Sequence, residues 1–414
     1  MFGLFLLDIN QNQWSDVFYN IVSKAANVGT LLGVEGSYDN KLHVMSAELH
    51  LPSPVLLTRE CYFGRYSKQL SHSTWGVVDI SLEKFLPSPT SNFSKRPSGC
   101  LITGMPNGYS KVIWVEHVEA EHHADDYFQS LFTSTLAFGA TRWVNSLVRY
   151  SEWLQSLYAT ALVADEGVTI AQAGRTSLLK LADRMMKTFC GNVSSTADNP
   201  WTQMACSSYV RIMVKNNNIK ESGKPLGTSV VFTTSIWLDV SPNRLFNFLR
   251  HENSRTKWDA LSRRHTIREF ASILKGENPG NRVSLMRANN SQGKLVICYL
   301  QESYQDSTGS YVVYAPLDEQ AVAALIHGSN PDKVMILPSG FSILPGRLQE
   351  EDDRNSRSLL TIAFHIVESR TSKPFIAPES VEIIYKVISD TVNSITDSVL
   401  YHNHRNNWMD DWNS

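Results

Sequence analysis

The stretch FTSTLAFGATRWVNSLVRYSEWLQSL, residues 132–157, decides the fold of the front of this chain. Phe132, Leu136, Ala140, Trp143, Leu147, Tyr150, Leu154 and Leu157 recur at steps of three and four, which lays one apolar stripe along about seven helical turns. A helix sided in this way must bury its stripe, and the residues ahead of it offer a sheet. Lys41 to His50, Val55 to Lys68, Thr74 to Leu82 and Tyr109 to Glu119 read as strands, separated by Pro52, Pro54, Ser98, Gly99 and the turn Pro106, Asn107, Gly108. A curved antiparallel sheet wrapped on a long C-terminal helix, an α+β arrangement, is the simplest packing of that pattern.

Behind it the composition changes. Gly167 and Gly174 bracket a polar loop, and Ser177 to Phe189 carries a stripe through Leu178, Leu181, Met185 and Phe189, read as a connector helix within residues 164–205. Residues 206–403 then repeat the plan of residues 1–163, leaving 404–414 as a tail. Strands are expected at Tyr209 to Val214, Ser229 to Trp237, Thr266 to Leu274, Arg282 to Arg287, Leu295 to Glu302, Tyr311 to Ala315, Lys333 to Leu337 and Leu359 to Val367. Ser241 caps a helix that opens on Pro242 and buries Leu245, Phe246 and Leu249. Pro378 opens a last helix with Val381, Ile384, Ile388, Val392, Ile395 and Val399 on one face.

The repetition extends to residues. Leu4 and Phe5, Trp14, Cys61 and Tyr62, Val77 and Val78, and Pro97, Ser98 and Gly99 recur in the same order as Leu245 and Phe246, Trp258, Cys298 and Tyr299, Val312 and Val313, and Pro338, Ser339 and Gly340, at separations between 235 and 244 residues. A collinear series closed by a long helix in both halves predicts a structural duplication. It also predicts an asymmetry. Strands precede Leu245, whereas Leu4 stands almost at Met1, so the front sheet is expected to lack opening strands and to leave an unpaired edge.

Composition bounds the function. A chain of 414 residues with 42% hydrophobic and 19% charged residues buries two or more cores. Lys+Arg 38 against Asp+Glu 40, with no basic block, excludes a strong nucleic-acid footprint for the whole. The five cysteines, Cys61, Cys100, Cys190, Cys206 and Cys298, stand singly, which disfavours a disulfide framework or zinc knuckle and favours a reducing compartment. The apolar start Phe2 to Leu7 breaks at Asp8, too short for a signal peptide or membrane span.

Several runs resemble the START and START-adjacent regions of plant class IV homeodomain-leucine zipper transcription factors. Arg96 to Ile102, Met105 to Val112 and Trp114 to Glu119 match the START strands, and Phe138, Gly139, Ala140, Arg142, Trp143 and Val144 match its closing helix. Trp237, Leu238, Pro242, Leu245, Phe248, Leu249, Arg250, Trp258 and Asp259 match the adjacent region, as do Val312 to Pro316 and Leu337 to Phe341. The resemblance covers nearly the whole chain; no homeodomain recognition helix and no sustained heptads accompany it. It implies a helix-grip START-like fold followed by a second START-like domain. It further implies a regulatory region without DNA-binding parts, acting in the nucleus, or the cytoplasm, on other transcription regulators. A free lipid carrier and a truncated product without function are the alternatives.

A lipid-holding module needs an apolar wall and a few polar groups to orient a head group, a phospholipid or sterol being the implied ligand. Alternation puts Arg59, Cys61, Phe63 and Arg65 on one strand face, with Arg59 and Glu60 where START domains commonly carry an Arg and acidic pair. Phe132, Leu136, Trp143 and Leu147 of the closing helix are the other candidate cavity residues, with core packing as their plainer role. His117, Glu121, His122 and His123 lack metal-ligand spacing, so no metal is expected. No GxSxG, P-loop or dinucleotide fingerprint occurs, so neither catalysis nor a cofactor is expected. Lys95 and Arg96 are too short a run for a nuclear signal, and Glu350 to Asp353 reads as a solvated turn.

Overall fold

A computed structural model of the chain describes residues 13–56, 58–86, 93–120, 131, 136–159, 163–165, 168–194, 201–206, 210–217, 222–346, 356–369 and 376–410. Two compact units divide it: residues 1–52, 56–150 and 194–199 form the first, and 53–55, 151–193 and 200–414 the second. Phe132, Glu121 to His123 and Glu350 to Asp353 lie outside the described residues. No described helix is long and apolar enough to cross a membrane.

The first unit opens with the short helix α1 (Gln13–Val17). Its strands are β1 (Val22–Leu32), β2 (Lys41–Leu49), β3 (Arg59–Ser71), β4 (Thr74–Ser81), β5 (Phe93–Lys95), β6 (Ser98–Gly104), β7 (Ser110–Val115) and β8 (Val118–Ala120). Six form one antiparallel sheet in the order β1-β2-β3-β4-β6-β7, and β5 pairs with β8 beside it. The closing helix α2 (Ala140–Tyr158) buries Trp143 and Leu147. It starts later than the apolar stripe predicts. Leu136 to Gly139 form a turn, and Arg142 N–H already bonds the Gly139 carbonyl at 3.0 Å. Leu136, Ala137 and Phe138 are buried all the same, outside the helix.

Other strand boundaries moved for identifiable reasons. β1 was not anticipated because bulges at Val22/Lys24, Asn27/Gly29 and Thr30/Leu32 break its two-residue period. Ser98 and Gly99, read as a turn, lie inside β6. The expected strand Tyr109 to Glu119 is divided into β7 and β8.

In the second unit, the hairpin β9 (Val163–Asp165) and β10 (Val168–Ile170) leads into α3 (Gln172–Ser194), along which Leu178, Leu181, Met185, Met186, Phe189 and Val193 are buried. The strands are β11 (Thr202–Cys206), β12 (Arg211–Asn217), β13 (Gly227–Leu238), β14 (Thr266–Leu274), β15 (Arg282–Asn289), β16 (Leu295–Asp306), β17 (Gly309–Leu317), β18 (Ser339–Pro345) and β19 (Ser358–Ser369). Nine strands form one antiparallel sheet, β11-β12-β13-β19-β18-β17-β16-β15-β14. Between β13 and β14 lie α4 (Pro242–Arg250), capped by Ser241 Oγ accepting from Arg244 N–H at 3.4 Å, and α5 (Glu252–Trp258). The short helix α6 (Glu319–Ile326) follows β17. No strand forms at Lys333 to Leu337, because Asn330 caps a 3-10 turn through Pro331 and Pro338 has no N–H to give a ladder. The closing helix α7 (Pro378–Asp410) stays helical beyond residue 403, the expected end of the second domain.

Both units place a glycine at one key crossing. Gly99 stands opposite Val78 and Gly340 opposite Val313. A Cβ on either would fall 2.0 Å from the Val77 carbonyl oxygen or 2.3 Å from that of Val312, and their φ values are +147° and +153°. That crossing equates β4 with β17, β6 with β18 and β7 with β19, and the neighbouring register makes Phe63 the counterpart of Tyr299. The Cys-Tyr dipeptides are therefore out of register by one residue, which moves a side chain to the opposite face. β19 is paired on both sides, by β13 and β18, whereas among the described residues β7 is paired by β6 alone and exposes Ile113 and Val115.

Candidate ligand-binding site

The inner face of the first sheet is built by alternation. In β3, Cys61, Phe63, Arg65 and Ser67 are buried, and in β4 Val77 and Asp79 are buried. Phe93 and Lys95 of β5 turn inward likewise. Trp143 of α2 closes on this face: its ring lies 5.4 Å from that of Trp114 at an interplanar angle of 11°, 5.5 Å from Trp14 and 5.0 Å from Phe18. Trp14 in turn stacks on Phe63 at 6.1 Å. The helix is held from its other side by Asn20, whose carbonyl accepts from Arg142 at 3.2 Å and whose Oδ1 accepts from Ser146 Oγ at 2.8 Å.

Inside this aromatic box lie four buried charges. Asp79 accepts two bonds from Arg65, at 2.6 Å from Nε and 2.7 Å from Nη2. Lys95 Nζ stands 3.3 Å from Asp79 and 2.9 Å from Glu116, and Glu116 also accepts from Trp114 Nε1 at 3.0 Å. Their formal charges cancel. Burial by itself would push the Asp79 carboxyl up, but Arg65 and Lys95 hold it below the usual carboxylate range. Burial likewise opposes the charged Lys95, and Glu116 and Asp79 outweigh it to raise its pKa. The guanidinium of Arg65 lies 4.1 Å from the Trp14 ring centroid, and Lys95 Nζ lies 5.3 Å from both Phe63 and Trp143. Burial pushes the Cys61 and Cys100 thiols up to about 12, so both stay protonated and act as small apolar groups.

Of the candidate residues, Phe63, Arg65 and Trp143 come together in this box, with Cys61 on the same strand face. Leu136 and Leu147 are buried in the turn before α2 and in α2 itself. Arg59 is half-buried at the start of β3, about 20 Å along the strand from Arg65, and burial lowers its pKa. Trp14, Asp79, Lys95, Trp114 and Glu116 were not anticipated as site residues. Lys95, which the sequence offers only as part of a short basic run with Arg96, is 3% exposed, while Arg96 is at the surface, paired with Glu119 at 2.7 Å. Alternation from Val77 would have turned Asp79 inward, but nothing local shows that two other strands bring it its partners. Among the described residues no cluster of His, Cys, Asp and Glu is arranged to hold a metal ion.

Comparison with known proteins places both units. A family model described as START domain matches residues 8–152, and one described as PDF2-like, C-terminal domain, matches residues 171–400. Homeobox-leucine zipper protein HDG1 of Arabidopsis thaliana is 37% identical over 410 residues, covering 94% of this chain and 50% of that protein. Homeobox-leucine zipper protein ROC8 of Oryza sativa subsp. japonica is 35% identical over 414 residues, covering 94% of this chain and 58% of that protein. The chain thus spans little more than half the length of these relatives. Human StAR-related lipid transfer protein 5 aligns at 10% identity and a TM-score of 0.32, over 56% of this chain and 98% of that one, too slight a likeness to add to the family match. The chain belongs to the PDF2-like C-terminal domain family and, with the START match ahead of it, is homologous over that region to plant class IV homeodomain-leucine zipper proteins.

Proposed function

We propose that the chain is a lipid-binding regulatory region of a transcription factor. It takes a sterol or phospholipid on the inner face of the first unit and signals occupancy through other transcription regulators, in the nucleus, without catalysis or DNA contact of its own. The START match over residues 8–152 carries the reading. Phe63, Trp143, Leu136 and Leu147 supply apolar wall, with Cys61 beside them. Half-buried Arg59, at the start of β3, is the candidate for a phosphate head group. A formal charge of -2 fits a partner-binding rather than a DNA-binding role.

The test is native mass spectrometry of the purified chain, followed by uptake of sterol and phospholipid from vesicles. A co-purifying lipid is expected, and Arg59→Leu is expected to weaken phospholipid binding by about tenfold with an unchanged melting temperature. A chain that purifies lipid-free and takes up neither lipid overturns the proposal.

A further inference from the structure

The two units treat a buried guanidinium differently. In the first, Arg65 stacks on Trp14 and is neutralised by Asp79 of β4. In the second, Arg255 of α5 is 1% exposed and stands 5.2 Å from the ring of Trp258, 4.2 Å from Tyr299 and 4.1 Å from Tyr314. Asp79 lies one residue beyond Val78, and its counterpart beyond Val313 is Tyr314; Arg65 pairs across the ladder with Asp79 as Gln301 does with Tyr314. The second unit therefore has a ring where the first has the carboxylate.

What remains around Arg255 is thin. Nε reaches Asp259 Oδ2 at 3.3 Å, an oxygen that also accepts from Ser262 Oγ at 2.7 Å. Nη1 reaches Gln301 Oε1 at 3.4 Å, and Nη2 is buried with no acceptor among the described residues. Trp258 Nε1, on the same helix, is likewise buried without one. A guanidinium cannot discard its proton to relieve this, and an unpaired buried donor of a charged group is costly. Around it the core is apolar, with Leu245, Phe246, Phe341, Ile395 and Val399 in one cluster.

We propose that the interior of the second unit binds an oxyanion, a carboxylate or phosphate, through Arg255 Nη2 and Trp258 Nε1: Asp259 ion-pairs with Arg255 only through Nε, and the ligand supplies to Nη2 the oxygen that Asp79 supplies to Arg65 Nη2 in the first unit. This site is separate from the one proposed for the first unit and stands or falls without it. The oxyanion is either the head of an amphiphile with an apolar chain or a free ion, and the experiment separates them. The 414-residue chain is titrated calorimetrically with oleate, with inorganic phosphate and with oleyl alcohol as the uncharged control. Oleate binding that oleyl alcohol does not match identifies an amphiphile, and phosphate binding identifies a free ion. Arg255→Gln is expected to weaken the response by about ten- to a hundredfold. If that variant does not fold, Tyr314→Glu decides instead, since a carboxylate placed there adds to Asp259 a second internal partner for Arg255, competes with the oxyanion and should weaken binding to the same degree. No response to either anion, an equal response to oleyl alcohol, or a response that survives the deciding substitution overturns the proposal.

Discussion

Asp79 is one carboxylate answering to two cations, Arg65 and Lys95, with all three side chains buried. Taking such charges from water is costly, and the geometry returns that cost only while every partner is present. Asp79→Asn should therefore lower stability by about 3–5 kcal/mol, read from urea denaturation, because it strands Arg65 and leaves Lys95 with Glu116 alone. Replacing Asp79 and Arg65 together by Leu and Met should recover part of that loss; a single variant within about 1 kcal/mol of the parent would show that the cluster is not the closed network described. At this scale the strand face that carries Phe63 and Arg65 was legible, and the partners of Arg65 were not. Phe63 and Arg65 follow from alternation in one strand, and Trp143 from helical spacing, each a local pattern. Asp79, Lys95 and Glu116 belong to β4, β5 and the end of β7, and only pairing between strands brings them together.

Elements follow the same division between local and long-range information. β14 falls at Thr266–Leu274 as the sequence predicts, and Ser241 with Pro242 places the start of α4, because alternation and capping are written within a few residues. β1 and β6 were lost where bulges and an in-strand glycine disturb that alternation. The glycine is the more informative case. The repeated Pro-Ser-Gly is a strand entry in both units, and its glycine is required because the neighbouring carbonyl occupies the space of a side chain. Gly99→Ala and Gly340→Ala should each cost about 2 kcal/mol or more, since the clash is with backbone that cannot swing aside. Gly29, where a Cβ meets nothing within 4 Å, serves as the control, and Gly29→Ala should change stability by less than about 1 kcal/mol in the same chemical denaturation. Equal effects at all three positions would contradict the close approach. The edge of β7 is a further consequence at this scale: among the described residues its outer N–H and C=O groups have no strand partner, and beside exposed Ile113 and Val115 they form a template for another strand.

For the whole molecule, acid sensitivity is shared between the units, since each holds one buried neutral histidine. In the first, burial pushes His50 down to about 4, although its ring bond to the Tyr19 carbonyl, 2.8 Å from Nε2, works the other way. In the second, burial pushes His365 down to about 4 and the charge of Lys215 adds to the effect. An unfolded histidine titrates near 6.5, so between these values the unfolded chain binds more protons than the folded one. Stability is then complete above about pH 6.5 and falls as the pH drops toward 4, by on the order of 3 kcal/mol for each histidine. The buried Asp79 carboxylate acts in a lower window, because its folded pKa lies beneath that of an unfolded aspartate, near 3.9. Denaturation of the full chain at pH 7.5, 5.5 and 4.5 should show both units weakening in step. The double variant His50→Gln, His365→Gln should lose far less across the same interval. A double variant as acid-sensitive as the parent would mean that the loss comes from groups other than these two rings.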